Sequence, residues 1–337
     1  MAEESPLTTA QQSFAEKLPY ASMKPESCEL SHAFNRVLKS DFYAPMDSPP
    51  YSRAIVEGFL VNTEETKTAS EDNPVTFTIA GVINPGDESA LAPKNTSAYQ
   101  VATGSIVANG NFSIVRMWEA NKTSENEFTI SRPFPPRFFI EDKGCEISLG
   151  DSIIHAGSKL DAEQIGLLAS MGVNDISVSK RPRVSVFASG DEVIPHTEKF
   201  RPGYIFDCNS PMLAAAIENE GGEAILHGIQ SDDFDSFLAK AKTALEDSDM
   251  LVISGGTAIG GRDFISDVIR SLGTLIVDGV PMRSGRPLIM GVANNKPIVC
   301  VAGHPPEALR GFKLFGKLAI DIITGHSKSL PEDQIVN

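Results

Sequence analysis

A short Gly-rich stretch, Ser254-Gly255-Gly256-Thr257, follows directly after an apolar run of β-forming residues, Met250 to Ile253. Helical spacing resumes at Phe264, with Asp263 placed to cap the helix and Gly273 placed to end it. A Gly-rich turn between a strand and a helix binds anions, because unpaired N–H groups and the helix dipole both favour negative charge. The same four residues are also typical of an ordinary tight turn. The rest of the chain has to decide between the two interpretations.

Strands and helices alternate after Arg181, which predicts a mostly parallel sheet covered by helices on both faces. Ligands of such sheets bind at the carboxyl ends of the strands. The polar groups expected at those ends are Ser189-Gly190-Asp191-Glu192, Asp232-Asp233, Ser254 to Thr257 with Asp263, Arg283-Ser284-Gly285-Arg286, and Gly303-His304-Pro305. Together they suit an anion held by Arg and amide N–H groups, with Mg²⁺ held by the acids.

Each of these groups also has a purely structural explanation. Asp191-Glu192 is typical of a surface turn, and Asp232 and Asp263 are typical helix caps. His304, beside two prolines, fits a turn better than a catalytic role. The two arginines are harder to explain structurally, because like charges at the start of a buried strand need an anion or acids nearby.

Composition restricts the class of protein. The chain has 337 residues, 41% of them hydrophobic, and a formal net charge of −15. At roughly 100 to 200 residues per domain, this length predicts two or three domains. The negative charge argues against a general nucleic-acid binder, which needs concentrated Lys and Arg, but it does not exclude a small anionic ligand held by a few local groups.

Neither cysteine spacing nor the first residues indicate a secreted or membrane protein. The four cysteines, Cys28, Cys145, Cys208 and Cys300, lie far apart in sequence, so neither a disulfide framework nor a zinc site is predicted. The first residues are acidic and polar where a signal peptide would be basic and then apolar, and no apolar run approaches about 18 residues. We therefore expect a cytoplasmic protein that does not contact a membrane.

Short strands separated by Asn, Gly and Pro turns occupy the chain from Glu57 to about Ile147 and predict an all-β module. This module interrupts a domain formed by the residues before and after it. The predicted domains are a helix-and-strand domain of residues 1–50 and 147–180, an inserted β-rich domain of residues 51–146, an α/β domain of residues 181–327, and a tail of residues 328–337.

Several local patterns predict individual elements. Apolar spacing predicts a helix over residues 29–38, and Ser210-Pro211 is typical of an N-cap followed by Pro at the first helical position. Asp161 and either Asp232 or Asp233 are predicted to cap two further helices, and Asn294-Asn295 is predicted to form a turn between two strands. The polar residues before position 25 predict a flexible lead-in or a short helix.

Four segments in this order, RPRVSVFASGDEVIP, PGYIFDCNSPMLAAAIENEGGEAILHGIQSDD, SGGTAIGGRDF and MRSGRPLIMG, resemble the molybdopterin molybdenumtransferase family, which includes MoeA of bacteria and the E-domain of gephyrin. ELSHAFNRVLKSDFYAPMDSPP, VEGFLV, VATGSIVANGNFSIV and GSKLDAEQIGLLASMGV resemble earlier parts of the same family. The resemblance covers about residues 28 to 326. It implies an α/β plus β fold: an elongated homodimer whose chains carry a three-layer α/β molybdopterin-binding domain and an inserted all-β domain.

The resemblance also implies an activity. Enzymes of this family take adenylylated molybdopterin and molybdate, insert the metal into the dithiolene, and release AMP with Mg²⁺ or a similar cation. By similarity, Ser254-Gly255-Gly256 holds the pterin's phosphate. Arg283 and Arg286 hold an oxyanion where the family usually has lysines in a Lys-Pro-Gly-Lys pattern, a change that keeps the charge and gains bidentate geometry. Thr103 matches a threonine contributed by the inserted module, so the site is expected to be completed across a dimer interface.

The resemblance assigns three sets of residues. The implied catalytic residues are Thr103, Glu192, Asp232 and Asp263. The implied cofactor-binding residues are Ser254, Gly255, Gly256, Thr257, Arg283, Ser284, Arg286, Gly303 and His304. The implied metal ligands are Glu57, Glu146, Glu192 and Asp263.

The chain departs from the family pattern at several points. The family's Met-Asp-Gly-Tyr-Ala is here Val56 to Leu60, with Glu57 in place of Asp. Its Gly-Glu-Asp is Gly144-Cys145-Glu146, and its Pro-Gly-Asn-Pro is Ala302-Gly303-His304-Pro305. The family normally continues with a small C-terminal β-domain, and we expect this chain to be a divergent member without it. Glu57 and Glu146 are each one methylene longer than the Asp of the family. Because a metal site needs its ligand atoms placed within about 0.5 Å, these two changes affect catalysis more than binding.

Three functional hypotheses follow. The first is an insertase that transfers molybdate or tungstate into adenylylated molybdopterin with Mg²⁺. The second is a catalytically degenerate relative that binds molybdopterin or finished cofactor and delivers it to a molybdoenzyme or another protein of the cofactor pathway. The third is an unrelated nucleotide or sugar-phosphate enzyme on a similar sheet, because fold alone does not fix function.

Overall fold

The computed structural model describes residues 5–231, 233–256, 264–281, 285–327 and 329–332. The chain divides into two compact units, a larger one formed by Met1–Asp41 with Ile154–Asn337 and a smaller one formed by Phe42–Ile153. The larger unit is therefore assembled from two stretches of chain that are separated in sequence by the whole of the smaller unit.

The helices of the described residues are α1 (Pro6–Ala15), α2 (Ala162–Ser170), α3 (Asn209–Asn219), α4 (Phe234–Asp247), α5 (Phe264–Leu272), α6 (Pro305–Gly311) and α7 (Lys317–Thr324). Two 3₁₀ turns, Leu30–His32 and Thr63–Thr66, and a π-helical turn, Phe312–Gly316, complete the helical residues. None of the helices in these ranges is long and apolar enough to cross a membrane.

The strands up to the end of the smaller unit are β1 (Pro25–Glu29), β2 (Phe42–Tyr43), β3 (Arg53–Ala54), β4 (Gly58–Asn62), β5 (Val75–Ile83), β6 (Ser97–Val101), β7 (Phe112–Arg116), β8 (Asn121–Lys122), β9 (Glu127–Ile130), β10 (Ile140–Glu141) and β11 (Ser152–Ile154). Those that follow are β12 (Asp175–Ser179), β13 (Arg183–Ser189), β14 (Val193–Ile194), β15 (Ile205–Phe206), β16 (Glu223–Gln230), β17 (Met250–Ser254), β18 (Thr274–Asp278), β19 (Ile289–Ala293) and β20 (Lys296–Val301).

A six-stranded sheet forms the centre of the larger unit, in the order β16-β13-β17-β20-β19-β18. The first four strands are parallel, and β19 runs antiparallel to both of its neighbours. All five residues of β17 are buried, as expected for a strand covered on both faces. Met250 and Val252 pack into one apolar cluster and Leu251 and Ile253 into the other, so helices cover both faces as the alternating sequence pattern predicts.

Several element ends agree with the local sequence signals. Asp161 caps α2 in a capping box with Gln164, and the Asp233 side chain accepts a hydrogen bond from Ser236 N at 2.9 Å at the start of α4. Asn294 and Asn295 adopt φ of 51° and 62° between β19 and β20, which is the backbone of a tight hairpin turn. These signals involve neighbours in sequence and needed no tertiary information.

The helix predicted over residues 29–38 is wrong. Glu29 ends β1, which pairs with β12, and only the 3₁₀ turn Leu30–His32 follows. Asn35 has a φ of 60°, which a right-handed helix cannot contain, and Phe34 is 55% exposed. Pairing with a strand about 150 residues later in the sequence overrides the helical spacing.

Ser210 is not the N-cap of α3. The helix begins two residues earlier than Pro211, at Asn209, with Cys208 in the cap position. The capping side chain belongs to Asp207, whose Oδ1 accepts a hydrogen bond from Ser210 N at 3.0 Å. At the N-terminus of the chain, the short-helix alternative is correct, because Ser5 caps α1 and Phe14 is fully buried.

The smaller unit contains a second six-stranded sheet, in the order β7-β4-β6-β5-β9-β8. All of its neighbouring strands are antiparallel except β5 and β6, which are parallel. Phe128 stacks between Phe59 at 4.2 Å and Phe77 at 5.5 Å, measured between ring centroids, and this stack forms the centre of the unit's core.

Candidate functional site

A cavity of about 460 Å³ lies at the carboxyl ends of β13, β17 and β20. Three loops and one helix start form its wall: the loops that begin at Ser189, Ser254 and Gly303, and the start of α3 at Asn209. This is the position where a mostly parallel sheet binds its ligand.

The Ser254-Gly255-Gly256 turn requires both of its glycines. Gly255 and Gly256 adopt φ of 90° and 72°, in the left-handed region. A Cβ on Gly255 would lie 2.5 Å from Ser189 O, so no side chain fits there. The Gly255 N–H donates to Val301 O at 3.2 Å, whereas within the described chain the Gly256 N–H makes no backbone hydrogen bond. The turn therefore brings the loop after β17 against the backbone of Ser189 and the end of β20.

The Ser189-Gly190 turn after β13 lies next to the Gly255-Gly256 turn in the cavity wall. Gly190 adopts a φ of 143°, and a Cβ there would lie 2.9 Å from Val193 Cγ2 and 3.0 Å from Glu192 Oε2. The carboxylate of Glu192 thus lies beside the Gly190 backbone and contributes an exposed negative group to the cavity wall.

Asn209 joins two of the cavity loops. Its Nδ2 donates to Ser254 Oγ at 2.7 Å and to Gly303 O at 2.8 Å. The Ser254 hydroxyl in turn donates to Ala302 O at 3.3 Å. Asn209 and Ser254 are both buried, so this chain of hydrogen bonds fixes the spacing of the loops that follow β17 and β20.

The entrance of the cavity is apolar. Strands β14 and β15 form a short parallel ladder, and Val193, Ile205 and Phe206 line the cavity from it. Ile205 is 58% exposed and Phe206 is 40% exposed, although both are large hydrophobic residues. A polar floor and an apolar entrance suit an anionic ligand with a flat or hydrophobic portion.

Two family models match the chain, and together they account for most of it. Residues 5–172 match the MoeA N-terminal region (domain I and II), and residues 185–321 match a probable molybdopterin binding domain. The crystal structure of a molybdopterin biosynthesis MoeA protein from Pyrococcus horikoshii is 30% identical, with a TM-score of 0.78 over 97% of this chain and 81% of that chain. The chain belongs to the MoeA family.

Curated relatives agree with this assignment. A molybdopterin molybdenumtransferase from Staphylococcus epidermidis is 26% identical over 314 residues, which is 93% of this chain and 75% of the relative. A protein of the same description from Staphylococcus aureus is 28% identical over 313 residues, with 93% and 74% covered. The chain thus has a MoeA-like fold with mixed sheets and helices.

The cavity brings together six of the residues that the MoeA resemblance assigned. They are Glu192, Ser254, Gly255, Gly256, Gly303 and His304. His304 lies in the N-cap position of α6, where its carbonyl oxygen accepts from Glu307 N and Ala308 N, and its exposed side chain makes no capping bond. Asp232, Thr257, Asp263, Arg283 and Ser284 lie outside the described residues.

Arg286 is placed at the same edge of the sheet but is not among the residues lining the cavity. Its Nη2 donates to Gly279 O at 2.7 Å and to Asp278 O at 3.5 Å, at the end of β18. Strand β18 is two positions from β20 in the sheet, roughly 10 Å at the usual strand spacing. The guanidinium is exposed, so bonding to two carbonyl oxygens leaves its charge open to solvent.

In the smaller unit, Glu57 and Thr103 lie at the same end of the sheet. Glu57 immediately precedes β4, Thr103 follows β6, and Gly58 is paired with Val101. Both are exposed. Gly58 is required there, because a Cβ would lie 2.1 Å from Val115 O. Two of the residues assigned by the MoeA resemblance thus lie just beyond the ends of adjacent strands, at the same edge of the sheet.

Glu146 has structural partners of its own. Its Oε2 accepts a hydrogen bond from Ser48 Oγ at 2.9 Å. Arg53 pairs with Glu141 at 2.6 Å, and this bond, together with the charges of Glu141 and Glu146, raises the pKa of Arg53 above its usual value. Glu146 therefore belongs to a small charged group around Arg53.

Sequence reasoning did not select Asp207 and Asn209, which stand at the start of α3. Both lie in the cavity wall. The contacts of Asn209 with Ser254 and Gly303 join residues 45 and 94 positions apart, which no local pattern shows. The signal available in the sequence was an Asp three residues before a helical Ser, the spacing of a capping side chain. Within the described ranges, no group of three or more His, Cys, Asp or Glu residues could hold a metal ion.

Proposed function

We propose that the chain is a molybdopterin molybdenumtransferase, which inserts molybdate or tungstate into adenylylated molybdopterin and releases AMP in a Mg²⁺-dependent reaction. The observation that carries this proposal is the cavity at the strands' carboxyl ends, whose lining residues all lie within residues 185–321, the stretch that matches a probable molybdopterin binding domain. The Staphylococcus relatives bear the name of this activity. A step of molybdenum cofactor biosynthesis is therefore the function that the site supports best.

The floor of the cavity is suited to a phosphate group. The Gly256 N–H, the backbone of Ser189-Gly190 and the N-terminal end of α3 all border it. Amide N–H groups and the positive end of an eleven-residue helix both stabilise an anion without requiring a cationic side chain. Backbone groups of this kind are important in a chain of net charge −15, whose composition does not supply an excess of cationic side chains.

Glu192 is the carboxylate we assign to Mg²⁺. Mg²⁺ binds one or two protein carboxylates together with substrate phosphate oxygens, and Glu192 is an exposed carboxylate beside the phosphate-binding turns. Bound there, the cation would neutralise charge on the phosphate that leaves as AMP. Asp263, outside the described residues, and Glu57, Glu146 and Thr103 of the smaller unit are further proposed metal or catalytic residues on the strength of the family resemblance.

Incubation with adenylylated molybdopterin, MgCl₂ and molybdate tests the proposal. We expect AMP release that requires molybdate and falls at least about a hundredfold in Glu192→Gln, because a metal ligand contributes several kcal/mol to the transition state. Asp191→Asn is the matched control, since Asp191 is the neighbouring exposed acid and does not line the cavity.

Three outcomes separate the alternatives. AMP release that depends on molybdate and on Glu192 supports the insertase. Tight binding of the adenylylated pterin without AMP release would replace it with a protein that holds and delivers cofactor. If the protein neither binds the adenylylated pterin nor releases AMP, molybdopterin is not its ligand.

A further inference from the structure

The apolar entrance of the cavity is exposed in the described chain and stands next to a buried carboxylate. We name Phe200, Tyr204, Ile205 and Phe206 the apolar lip. All four are exposed, with Phe200 at 66% and Phe206 at 40%. The rings of Phe200 and Phe206 lie 6.2 Å apart at 57°, and Arg201 covers Tyr204 at 4.3 Å from the ring centroid. Ile205 and Phe206 line the cavity itself, so the lip is continuous with the anion-binding floor.

Asp207 follows the lip directly and differs from it in burial. It is 9% exposed and lies in the cavity wall. Its Oδ1 accepts from Ser210 N at 3.0 Å, as a cap of α3. A carboxylate has roughly four acceptor positions, so this bond leaves most of its capacity free. A buried carboxylate beside an exposed aromatic ring is an arrangement that recognises a flat ring with hydrogen-bond donors on its edge.

We propose that Phe206 and Asp207 recognise the pterin ring of the bound substrate, Phe206 by stacking and Asp207 by accepting from the ring's N3–H and 2-amino groups. The inference rests on the proposed function, from which it takes the pterin as occupant. It adds a selectivity: the site favours a 2-amino-4-oxo ring edge, which presents two adjacent donors, over the edge of adenine, which presents a donor beside an acceptor.

The charge of the Asp207 carboxylate, and the position of the ring site next to the phosphate site, favour the pterin as the occupant. An acceptor-only carboxylate attracts an edge that carries two donors and repels the ring-nitrogen lone pair that adenine would place against it. The phosphate attached to the same ligand would occupy the cavity floor, where N–H groups face it. The ring and the phosphate are therefore recognised by adjacent parts of a single wall, from Phe206 to Asn209 and Ser254 to Gly256.

Nucleotides test the idea with the full-length protein, because guanine has the same pair of edge donors as a pterin. Titration calorimetry would measure GMP, AMP and ribose 5-phosphate against the unmodified chain, Asp207→Asn, Phe206→Ala and Phe34→Ala. Asp207→Asn keeps an Oδ1 that can accept from Ser210 N, so the helix cap is retained. Phe34 is the matched control, since it is also an exposed Phe, at 55%, and does not line the cavity.

We expect Asp207→Asn to lower the ratio of GMP to AMP affinity by about tenfold, because the amide no longer favours two adjacent donors over a donor beside an acceptor. We expect Phe206→Ala to weaken both nucleotides by roughly fivefold or more while ribose 5-phosphate is unchanged. Phe34→Ala should change none of the three.

An Asp207→Asn variant that leaves the ratio of GMP to AMP affinity unchanged, or that weakens ribose 5-phosphate as much as GMP, would overturn the recognition role of Asp207. A Phe206→Ala variant indistinguishable from Phe34→Ala would overturn the stacking role. These measurements involve no turnover, so they can fail while molybdate-dependent AMP release succeeds. Conversely, a GMP preference without AMP release would contradict only the insertase.

Cys208 offers an independent readout at the same wall. It is exposed and lines the cavity, whereas Cys28 and Cys300 are buried and Cys145 is exposed in the smaller unit. In a Cys145→Ser background, alkylation with iodoacetamide therefore reports on Cys208. The GMP concentration that slows this alkylation should rise in Asp207→Asn, and an unchanged protection curve would count against the proposal.

Discussion

Asn209 Nδ2 lies 2.7 Å from Ser254 Oγ, and this hydrogen bond joins the start of α3 to the Gly-rich turn after β17. The same nitrogen donates to Gly303 O at 2.8 Å. One amide group thus sets the distance between two loops of the cavity. Its removal leaves the buried Ser254 hydroxyl and the Gly303 carbonyl oxygen with fewer partners.

We expect Asn209→Ala to lower the free energy of unfolding of the larger unit by about 1 to 2 kcal/mol, the usual contribution of two buried hydrogen bonds. It should also weaken binding of inorganic pyrophosphate, because the anion-binding loops lose their fixed spacing. Urea denaturation and calorimetry measure the two effects. Asn219→Ala, at the exposed end of the same helix, should change neither the free energy of unfolding nor pyrophosphate binding. A pyrophosphate affinity unaffected by Asn209→Ala would show that the loops hold their position without the Asn209 side chain.

Gly255→Ala should destabilise the protein by more than its backbone angle alone explains. A φ of 90° costs about 1 kcal/mol for Ala, and the added Cβ would lie 2.5 Å from Ser189 O, a backbone atom that cannot easily move. We expect a loss of about 2 to 4 kcal/mol in the free energy of unfolding, together with loss of pyrophosphate binding.

Gly172→Ala is the control for Gly255→Ala, since Gly172 has a φ of 73° and nothing within 4 Å of an added Cβ. It isolates the backbone cost, about 1 kcal/mol. Equal unfolding free energies for the two variants would mean that Ser189 moves away freely, and the close approach of the two loops would then not be a fixed feature of the site.

Local signals predicted those elements whose limits are set by near neighbours in sequence. Asp161 and Asp233 cap α2 and α4, and Asn294-Asn295 forms the hairpin turn, because each of these motifs is complete within a few residues. Residues 29–38 show the opposite case. Helical spacing was present there, but the pairing of β1 with β12 decided the conformation.

The residues of the candidate site also fall into those that a local sequence signature reveals and those that it does not. Glu192 and the Ser254 to Gly256 turn were recognisable because small residues and acids at strand ends have local signatures. Asn209 was not, because its role depends on Ser254 and Gly303, which only the folded sheet brings near it. Phe206 and Asp207 were also missed, since an exposed Phe next to a capping Asp has no distinctive sequence pattern.

Glu119 makes the stability of the smaller unit dependent on pH. Its hydrogen bond to Arg116, together with the contact with Arg132, lowers the pKa of Glu119 from 4.5 to about 2 against the opposing effect of burial. A carboxylate with a lowered pKa stabilises the fold fully above its unfolded value, and the contribution is lost as the pH falls from about 4.5 towards 2.

Glu119→Gln should therefore lower the free energy of unfolding by about 1 to 2 kcal/mol at pH 6, after allowance for solvent screening, and by progressively less as the pH falls through about 4.5 towards 2. The chain's single tryptophan, Trp118, lies in the smaller unit with Arg116 at 4.8 Å from its ring centroid, so its fluorescence follows this unfolding. Glu127→Gln, an exposed acid of the same sheet, is the control. A pH-independent difference between Glu119→Gln and the unmodified protein would contradict the assignment.

Arg36 holds together the two stretches of chain that form the larger unit. It is 7% exposed, pairs with Glu26, and donates to Ser179 O at 2.8 Å and to Cys28 Sγ at 3.5 Å. Residues 26 and 28 lie in β1 and residue 179 in β12, so the side chain ties these strands across the sequence interval that contains the smaller unit.

Arg36→Met should lower the free energy of unfolding of the larger unit by about 2 to 3 kcal/mol, because it leaves the Glu26 carboxylate and Ser179 O without their donor. Far-ultraviolet circular dichroism in urea measures this, while Trp118 fluorescence reports the smaller unit separately. The double variant Arg36→Met with Glu26→Gln also removes the unpaired charge and should restore part of the lost free energy of unfolding. The free energy of unfolding of Arg36→Lys should lie between those of the unmodified chain and Arg36→Met, because Lys keeps the charge but not the forked geometry. If Arg36→Met and the double variant are equally destabilised, the cost comes from packing and the Ser179 bond, and the ion pair with Glu26 does not hold β1 against β12.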